Sequence, residues 1–188
     1  MTKGGMKDKE SGSQDWGNGG NCMGGDWSNK GSYWYQGPCN GGASWFVAKK
    51  LIGSNKDYDF TVRILNEDND DSGVILRYTD KNNYIRFHHT LDNAYNSDGR
   101  VSGCQGKGSF LVLRKGGKET CLATSTWKYS QGKWHTFRVI SKTTTGQIKV
   151  YVDGQLLVDH SSATVKGLTG SCGIWVAHSQ MKMIAIHM

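Results

Sequence analysis

The sequence predicts an all-β fold, an antiparallel sandwich or barrel. Three observations predict it. Twenty-six glycines and a single proline stand among many Val, Ile, Tyr, Trp and Thr residues, the composition of short strands joined by tight turns. Several segments alternate apolar and polar residues with period two. Turn signals recur every 8–12 residues or so, and no helical periodicity outlasts a turn.

Taken in order, Met1 to Asp15 is polar and charged and reads as a flexible tail, so residues 16–188 form the expected single domain. Trp16 to Gly42 sets Trp16, Trp27, Tyr33, Trp34 and Tyr35 among glycines. That mixture predicts irregular packed loops or short strands, because a plain linker would not carry three tryptophans. Ser44 to Leu51 is a first apolar stretch. In Tyr58 to Leu65 (YDFTVRIL), Phe60, Val62 and Ile64 share one face, and Asp59, Thr61 and Arg63 share the other. An acidic turn follows (NEDNDDS, 66–72), then the hairpin GVILRYT–DKNN–YIRFHH from Gly73 to His89. Leu91 to Gly108 reads as a long loop. Ser109 to Arg114, the KGGK turn and Glu119 to Ala123 form the next hairpin. Trp134 to Ser141 is a clean alternating strand. Gln147 to Val152 and Gln155 to Asp159 flank Asp153-Gly154, a type I′ hairpin signal. Gly173 to Ala177 and Met181 to Ile186 are the last strands, for about ten or eleven in all.

The formal net charge of +7 favours anionic partners, although solubility alone also accounts for it. The positive charges are spread out, which argues against a nucleic-acid arm. No run of ~18 apolar residues is present to span a membrane. Met1 to Ser13 has no apolar core of the kind a signal peptide needs. Cysteines 22, 39, 104, 121 and 172 form no CxxC pair, so a zinc site is not expected. Their spacing suits disulfides in an oxidising, extracellular or cell-surface setting. Cys22 with Cys39 and Cys104 with Cys121 would each close a local loop, leaving Cys172 odd. Five buried reduced thiols are the alternative.

Three segments resemble the concanavalin A-like superfamily, near its laminin G-like and thrombospondin C-terminal modules. They are KDYDFTVRILNEDNDDSGVILRYTDKNNYIRF, GKWHTFRVISKTTTGQIKVYVDGQLLVD and GLTGSCGIWVAHS, within roughly Ser44 to Ile186. The resemblance implies a jelly-roll β-sandwich. It says little about function, because this fold hosts lectins, adhesion modules, glycoside hydrolases and polysaccharide lyases.

Glycoside hydrolysis needs two carboxylates about 5–10 Å apart. The hydrolases of the superfamily carry a Glu-x-Asp-x-x-Glu strand, whereas this chain has only Glu10, Glu67 and Glu119, none in such a motif. A lyase needs a Tyr or His base beside a cation that neutralises a uronate. Tyr84, Arg86 and His88 alternate onto one face, with Arg77 on the preceding strand and Arg63, Arg138, Lys149 and Tyr151 on others. Were these faces to coincide, they would form a basic groove suited to an acidic glycan. Arg and Tyr as plain solvent-facing residues are the alternative. The strand motifs of lyases of this fold, Gln-x-His and Tyr-x-Lys, are missing. Asp68, Asp70 and Asp71 cluster oxygen ligands that suit Ca²⁺, or they simply close a solvated turn. Position twelve from Asp68 is Thr79, so this is no EF-hand. Trp45, Trp134 and Trp175 lie in strands as core residues. Trp34 and its Gly-flanked aromatic neighbours are the candidates for stacking on sugars, and the long loop around Tyr95 offers polar groups that hydrogen-bond sugar hydroxyls, an ordinary Asn/Asp turn region being the alternative. His88 and His89 are adjacent and point to opposite faces, against a shared metal.

These residues favour a non-catalytic glycan-binding or adhesion module, with calcium as a candidate cofactor. A lyase acting on an acidic polysaccharide is the alternative, and a matrix-type protein partner the third reading.

Overall fold

A computed structural model describes residues 9–15, 27–37, 42–48, 57–91, 101–177 and 181–187. Every regular element in them is a strand: β1 (Lys9–Asp15), β2 (Trp27–Asn29), β3 (Trp34–Gln36), β4 (Gly42–Ala48), β5 (Tyr58–Asn66), β6 (Asp71–Asp80) and β7 (Asn83–Thr90), then β8 (Gly108–Lys115), β9 (Lys118–Ser125), β10 (Trp134–Lys142), β11 (Gln147–Val152), β12 (Gln155–Ser161), β13 (Ser171–Ala177) and β14 (Met181–His187). They form two seven-stranded antiparallel sheets. Sheet A runs β1-β4-β13-β6-β7-β8-β9, and sheet B runs β12-β11-β10-β5-β14-β3-β2. No helix among the described residues is long and apolar enough to cross a membrane.

The turns form where the residues demand them. Asp153 (φ 49°) and Gly154 (φ 83°) both take the left-handed conformation that a type I′ hairpin requires. The Asp153 carboxylate then accepts the Thr136 N–H at 2.8 Å and binds His135 Nδ1 at 2.6 Å. At the β6–β7 turn, Asp80 accepts the Asn82 N–H at 2.7 Å and the Asn83 side-chain amide at 2.9 and 3.0 Å.

Period-two alternation fills the space between the sheets. Sheet B supplies Phe60, Val62 and Ile64 of β5 with Phe137 and Val139 of β10; sheet A supplies Val74, Leu76, Ile85, Phe87 and Ile174. All are 1% exposed or less. Each is worth about 1.5–3 kcal/mol relative to an exposed side chain.

Several expectations change here. Lys9–Asp15, read as part of a tail, is strand β1, paired antiparallel with β4 from Lys9↔Ala48 to Asp15↔Gly42. Its polar sequence hid it, because backbone pairing at a sheet edge asks for no apolar alternation. Trp27 and Trp34 are half-buried, and each packs one side on Phe46 at the inter-sheet core, with ring centroids 5.3 and 5.2 Å away. Trp134, expected in the core, lies on the outer face of sheet B with the Arg63 guanidinium 5.4 Å from its ring. Tyr95, Trp16, Cys22 and Cys39 lie outside the described residues. Cys104 and Cys121 are disulfide-bonded, and Cys172 is a buried thiol outside any disulfide, its pKa pushed by burial up to about 12.

Candidate functional site

Consecutive strands β5 and β6 belong to opposite sheets. Arg63, Arg138, Lys149 and Tyr151 therefore stand on the outer face of sheet B, while Tyr84, Arg86 and His88 stand on the outer face of sheet A. The single basic groove expected from the sequence does not form, because the whole sandwich separates its two halves. The sheet B cations are also neutralised locally. Arg138 makes a bidentate pair with Asp59 (2.9 and 2.6 Å), Lys149 pairs with Asp159 (3.3 Å) and Lys182 with Glu67 (2.6 Å).

The outer face of sheet A has unusual chemistry. An outward face ordinarily meets water, yet Trp45, Tyr84, Arg86, His88 and Trp175 are each 2% exposed or less. Strand register places them side by side. Trp45, Trp175, Gly73, His88 and Phe110 form one row across β4, β13, β6, β7 and β8; Ile75, Arg86, Val112 and Cys121 share the next. Gly73 is required at its place: a Cβ there would lie 2.1 Å from the Phe87 carbonyl oxygen. With no side chain on β6 between them, the Trp175 ring reaches the His88 ring at 5.3 Å and the Arg86 guanidinium at 4.9 Å.

Arg86 donates two hydrogen bonds to Glu119 of β9 (2.7 and 2.9 Å), and Arg114 of β8 donates a third (3.0 Å). Burial pushes the Glu119 carboxyl up, but the charge and hydrogen bonds of Arg86, with those of Arg114, outweigh it and hold the carboxyl down at about 2. Burial, with the nearby Arg86 charge, holds His88 well below the usual histidine range, so it is neutral at pH 7. Burial likewise pushes the Tyr84 hydroxyl up. The segment from Val101 to Lys107 lies over part of this face. Val101 and Cys104 pack on Phe110 and Val112, and the Cys104–Cys121 disulfide ties the segment to β9.

The face opens to solvent at one end. A cleft of about 210 Å³ there is lined by Arg77, Thr79, Asn83, Tyr84, Arg114 and Lys115, with Leu113 and the 167–169 loop. Arg77 takes φ 50° in a bulge of β6, which turns its side chain between the sheets onto Ser141 (2.9 Å) and the Tyr58 ring (4.7 Å). Arg77 thus stands apart from Arg86, its partner in the sequence reading.

His89 points inward, opposite His88. Its Nε2 lies 2.9 Å from the Ser72 hydroxyl, and burial lowers it to about 3. The acidic turn does not gather its carboxylates. Asp68 accepts the Asn69 N–H at 2.8 Å, Asn66 donates to the Asp70 carbonyl at 2.9 Å, and Asp71 is buried at the start of β6 on the sheet A face. Among the described residues no three His, Cys, Asp or Glu side chains converge as a metal site.

Glu119 was considered in the sequence only as a hydrolase acid and set aside. Nothing local marks it as the partner of Arg86, because 33 residues and two strand crossings separate them. Trp45 and Trp175 are buried as expected, in a second apolar cluster with Ile75, Tyr78 and Tyr84 on the outer face of sheet A, a side that alternation alone does not identify.

No family model matches the sequence, and no curated protein matches it. Solved structures do match in fold. A carbohydrate-binding module, CBM66 from Bacillus subtilis, is 13% identical with a TM-score of 0.63, covering 85% of this chain and 88% of its own. The carbohydrate recognition domain of Emp46p in its potassium-bound form is 9% identical (TM-score 0.61; 96% and 87% covered). A Bacillus subtilis protein of unknown function with a galectin-like fold is 10% identical (TM-score 0.58; 97% and 90% covered). The likeness shows the fold, an antiparallel jelly-roll β-sandwich.

Proposed function

We propose that this chain is a non-catalytic carbohydrate-binding module that takes its glycan at the open end of the outer face of sheet A. The observation that carries the reading is the Arg86–Glu119–Arg114 ion cluster set against Trp175, Trp45 and His88 on an outward sheet face. Buried ions weigh against stability unless they are paired, and they concentrate where a ligand is recognised. Trp45, Trp175, Arg86 and His88 are themselves buried, so a sugar meets them through the open end of the face, where Tyr84, Arg114 and the 167–169 loop line the cleft and guanidinium and hydroxyl groups suit sugar hydroxyls. The solved structures of similar fold include a carbohydrate-binding module and a carbohydrate recognition domain, which supports the same reading. The disulfide supports an extracellular or cell-surface setting. The narrower kinship with laminin G-like and thrombospondin C-terminal modules rests on the sequence segments alone.

Binding is favoured over lyase chemistry by protonation. Tyr84, Arg86 and His88 do share one face, but burial raises the Tyr84 hydroxyl away from the anion a base requires. A protein partner would call for a contiguous apolar patch. Leu156, at 46% exposure, is the single large apolar side chain left exposed among the described residues.

The test is a panel of neutral and acidic polysaccharides, with and without calcium, run on a size-exclusion column. Co-elution with an intact polymer, abolished by Arg114→Ala in a protein that still melts cooperatively, is expected. A calcium requirement would point to the acidic turn, with Asp68, Asp70 and Asp71 then gathering around the ion from their separate positions. Shortening of a polymer would overturn the non-catalytic reading, and no retention of any polymer would overturn the glycan reading itself.

A further inference from the structure

We propose that the cleft at the end of sheet A receives an anionic substituent, a carboxylate or sulfate, of a saccharide. The inference rests on the glycan-binding reading and adds the ligand class. Arg114 and Lys115 line the cleft with the Arg77 bulge, whose guanidinium is held by Ser141 between the sheets, and no carboxylate lines it. The nearby carboxylates are engaged elsewhere: Asp80 by Asn82 and Asn83, Glu119 by Arg86 and Arg114. Lys115 is exposed and has no carboxylate partner among the described residues. A cleft lined by one sign of charge attracts the opposite ion.

The backbone holds this shape. Gly170 takes φ 128°, and a Cβ there would meet the Tyr78 carbonyl oxygen at 2.4 Å and the Arg77 carbonyl carbon at 2.5 Å. Glycine thus lets the 167–170 loop close against the Arg77 bulge, and Gly167 anchors the loop by donating its N–H to the Thr143 carbonyl at 2.9 Å. Thr79, Asn83 and Thr169 add hydroxyl and amide groups to the lining. The volume of about 210 Å³ falls below the ~300–1,000 Å³ of pockets for drug-sized ligands, which suits one substituted sugar unit. Tyr84 and Arg114 belong both to the cleft and to the outer-face cluster, so the buried ion cluster backs the cleft directly.

The experiment titrates isotopically labelled full-length protein with glucuronate, glucose 6-sulfate and glucose, following backbone amide resonances. Glucuronate or glucose 6-sulfate is expected to shift Thr79, Gly167 and Thr169, with glucose at least about tenfold weaker, one charge-assisted hydrogen bond being worth that much. Lys115→Gln should weaken the anionic sugar about tenfold and leave glucose unchanged, and added NaCl should weaken it further. The response of the two anions tells carboxylate from sulfate. Equal shifts with glucose, or anion binding indifferent to Lys115→Gln, would overturn the proposal. A neutral polysaccharide retained on the column while neither anion moves these amides would defeat this inference and leave the glycan reading intact.

Discussion

Glu119→Gln removes one charge from the buried cluster while keeping the shape of the side chain. Arg86, 0% exposed on its side chain, then loses its bidentate carboxylate. The Glu119 carboxyl sits at about 2 in the folded protein against an ordinary value of 4.5. That difference corresponds to roughly 3 kcal/mol at neutral pH, by the conversion of about 1.4 kcal/mol per pH unit. Breaking a buried pair from one side costs about 3–5 kcal/mol by an independent route. The sign follows from a depressed folded value. The contribution is fully present above about pH 4.5 and lost as pH falls through about 2. Urea denaturation of wild type and Glu119→Gln at pH 7 should differ by about 3 kcal/mol, or ~6–12 °C in Tm for a chain of this size. Near pH 2 the gap should shrink below about 1 kcal/mol. A gap under about 1 kcal/mol at pH 7, or one unchanged by acid, would refute the claim that this ion cluster is tightly coupled.

Three further outcomes follow from the same geometry. His88 and His89 are held neutral by burial, His89 at about 3, so the unfolded chain binds up to two more protons below its ordinary histidine value of 6.5. Stability should therefore fall as pH drops from about 6 toward 4, by up to ~2.7 kcal/mol per pH unit, and His89→Gln should flatten that slope in pH-dependent denaturation. Gly73→Ala would set a Cβ 2.1 Å from the Phe87 carbonyl oxygen and 2.8 Å from the His88 Cα, both backbone atoms that cannot swing aside. It should cost more than about 4 kcal/mol by thermal melt, where a surface Gly→Ala would cost little. The Cys104–Cys121 disulfide closes a 17-residue separation, so the double serine variant should lose about 3 kcal/mol and expose Val101 to Lys107 to faster amide exchange. Unchanged exchange there would mean that packing of Val101 and Cys104 suffices without the bond.

Much of the fold was legible in the chain. The alternation in Tyr58–Leu65 and Trp134–Ser141, the Asp153-Gly154 turn and the Gly116-Gly117 turn are local properties, and each yields the strand or hairpin expected of it. Strand β1 was not legible, since a polar edge strand is chosen by the backbone groups it covers, and the short strands β2 and β3 fall where the sequence left loops and short strands open as alternatives. The site was legible only in part. The phase of β7 put Tyr84, Arg86 and His88 together from the sequence alone, because side chains two apart on a strand must share a face.

Which face that would be, and who else stands on it, belongs to the tertiary structure. Period two distinguishes two faces without saying which one meets the other sheet. Only the sheet order, with β5 and β6 on opposite sides, parts Arg63 and Arg138 from Arg86. Only strand pairing brings Glu119 to Arg86 and Trp175 across Gly73 to His88. Local alternation thus determined the strands and their hairpins, while long-range register decided the chemistry of the face, because cross-strand neighbours are set by pairing between strands distant in the chain.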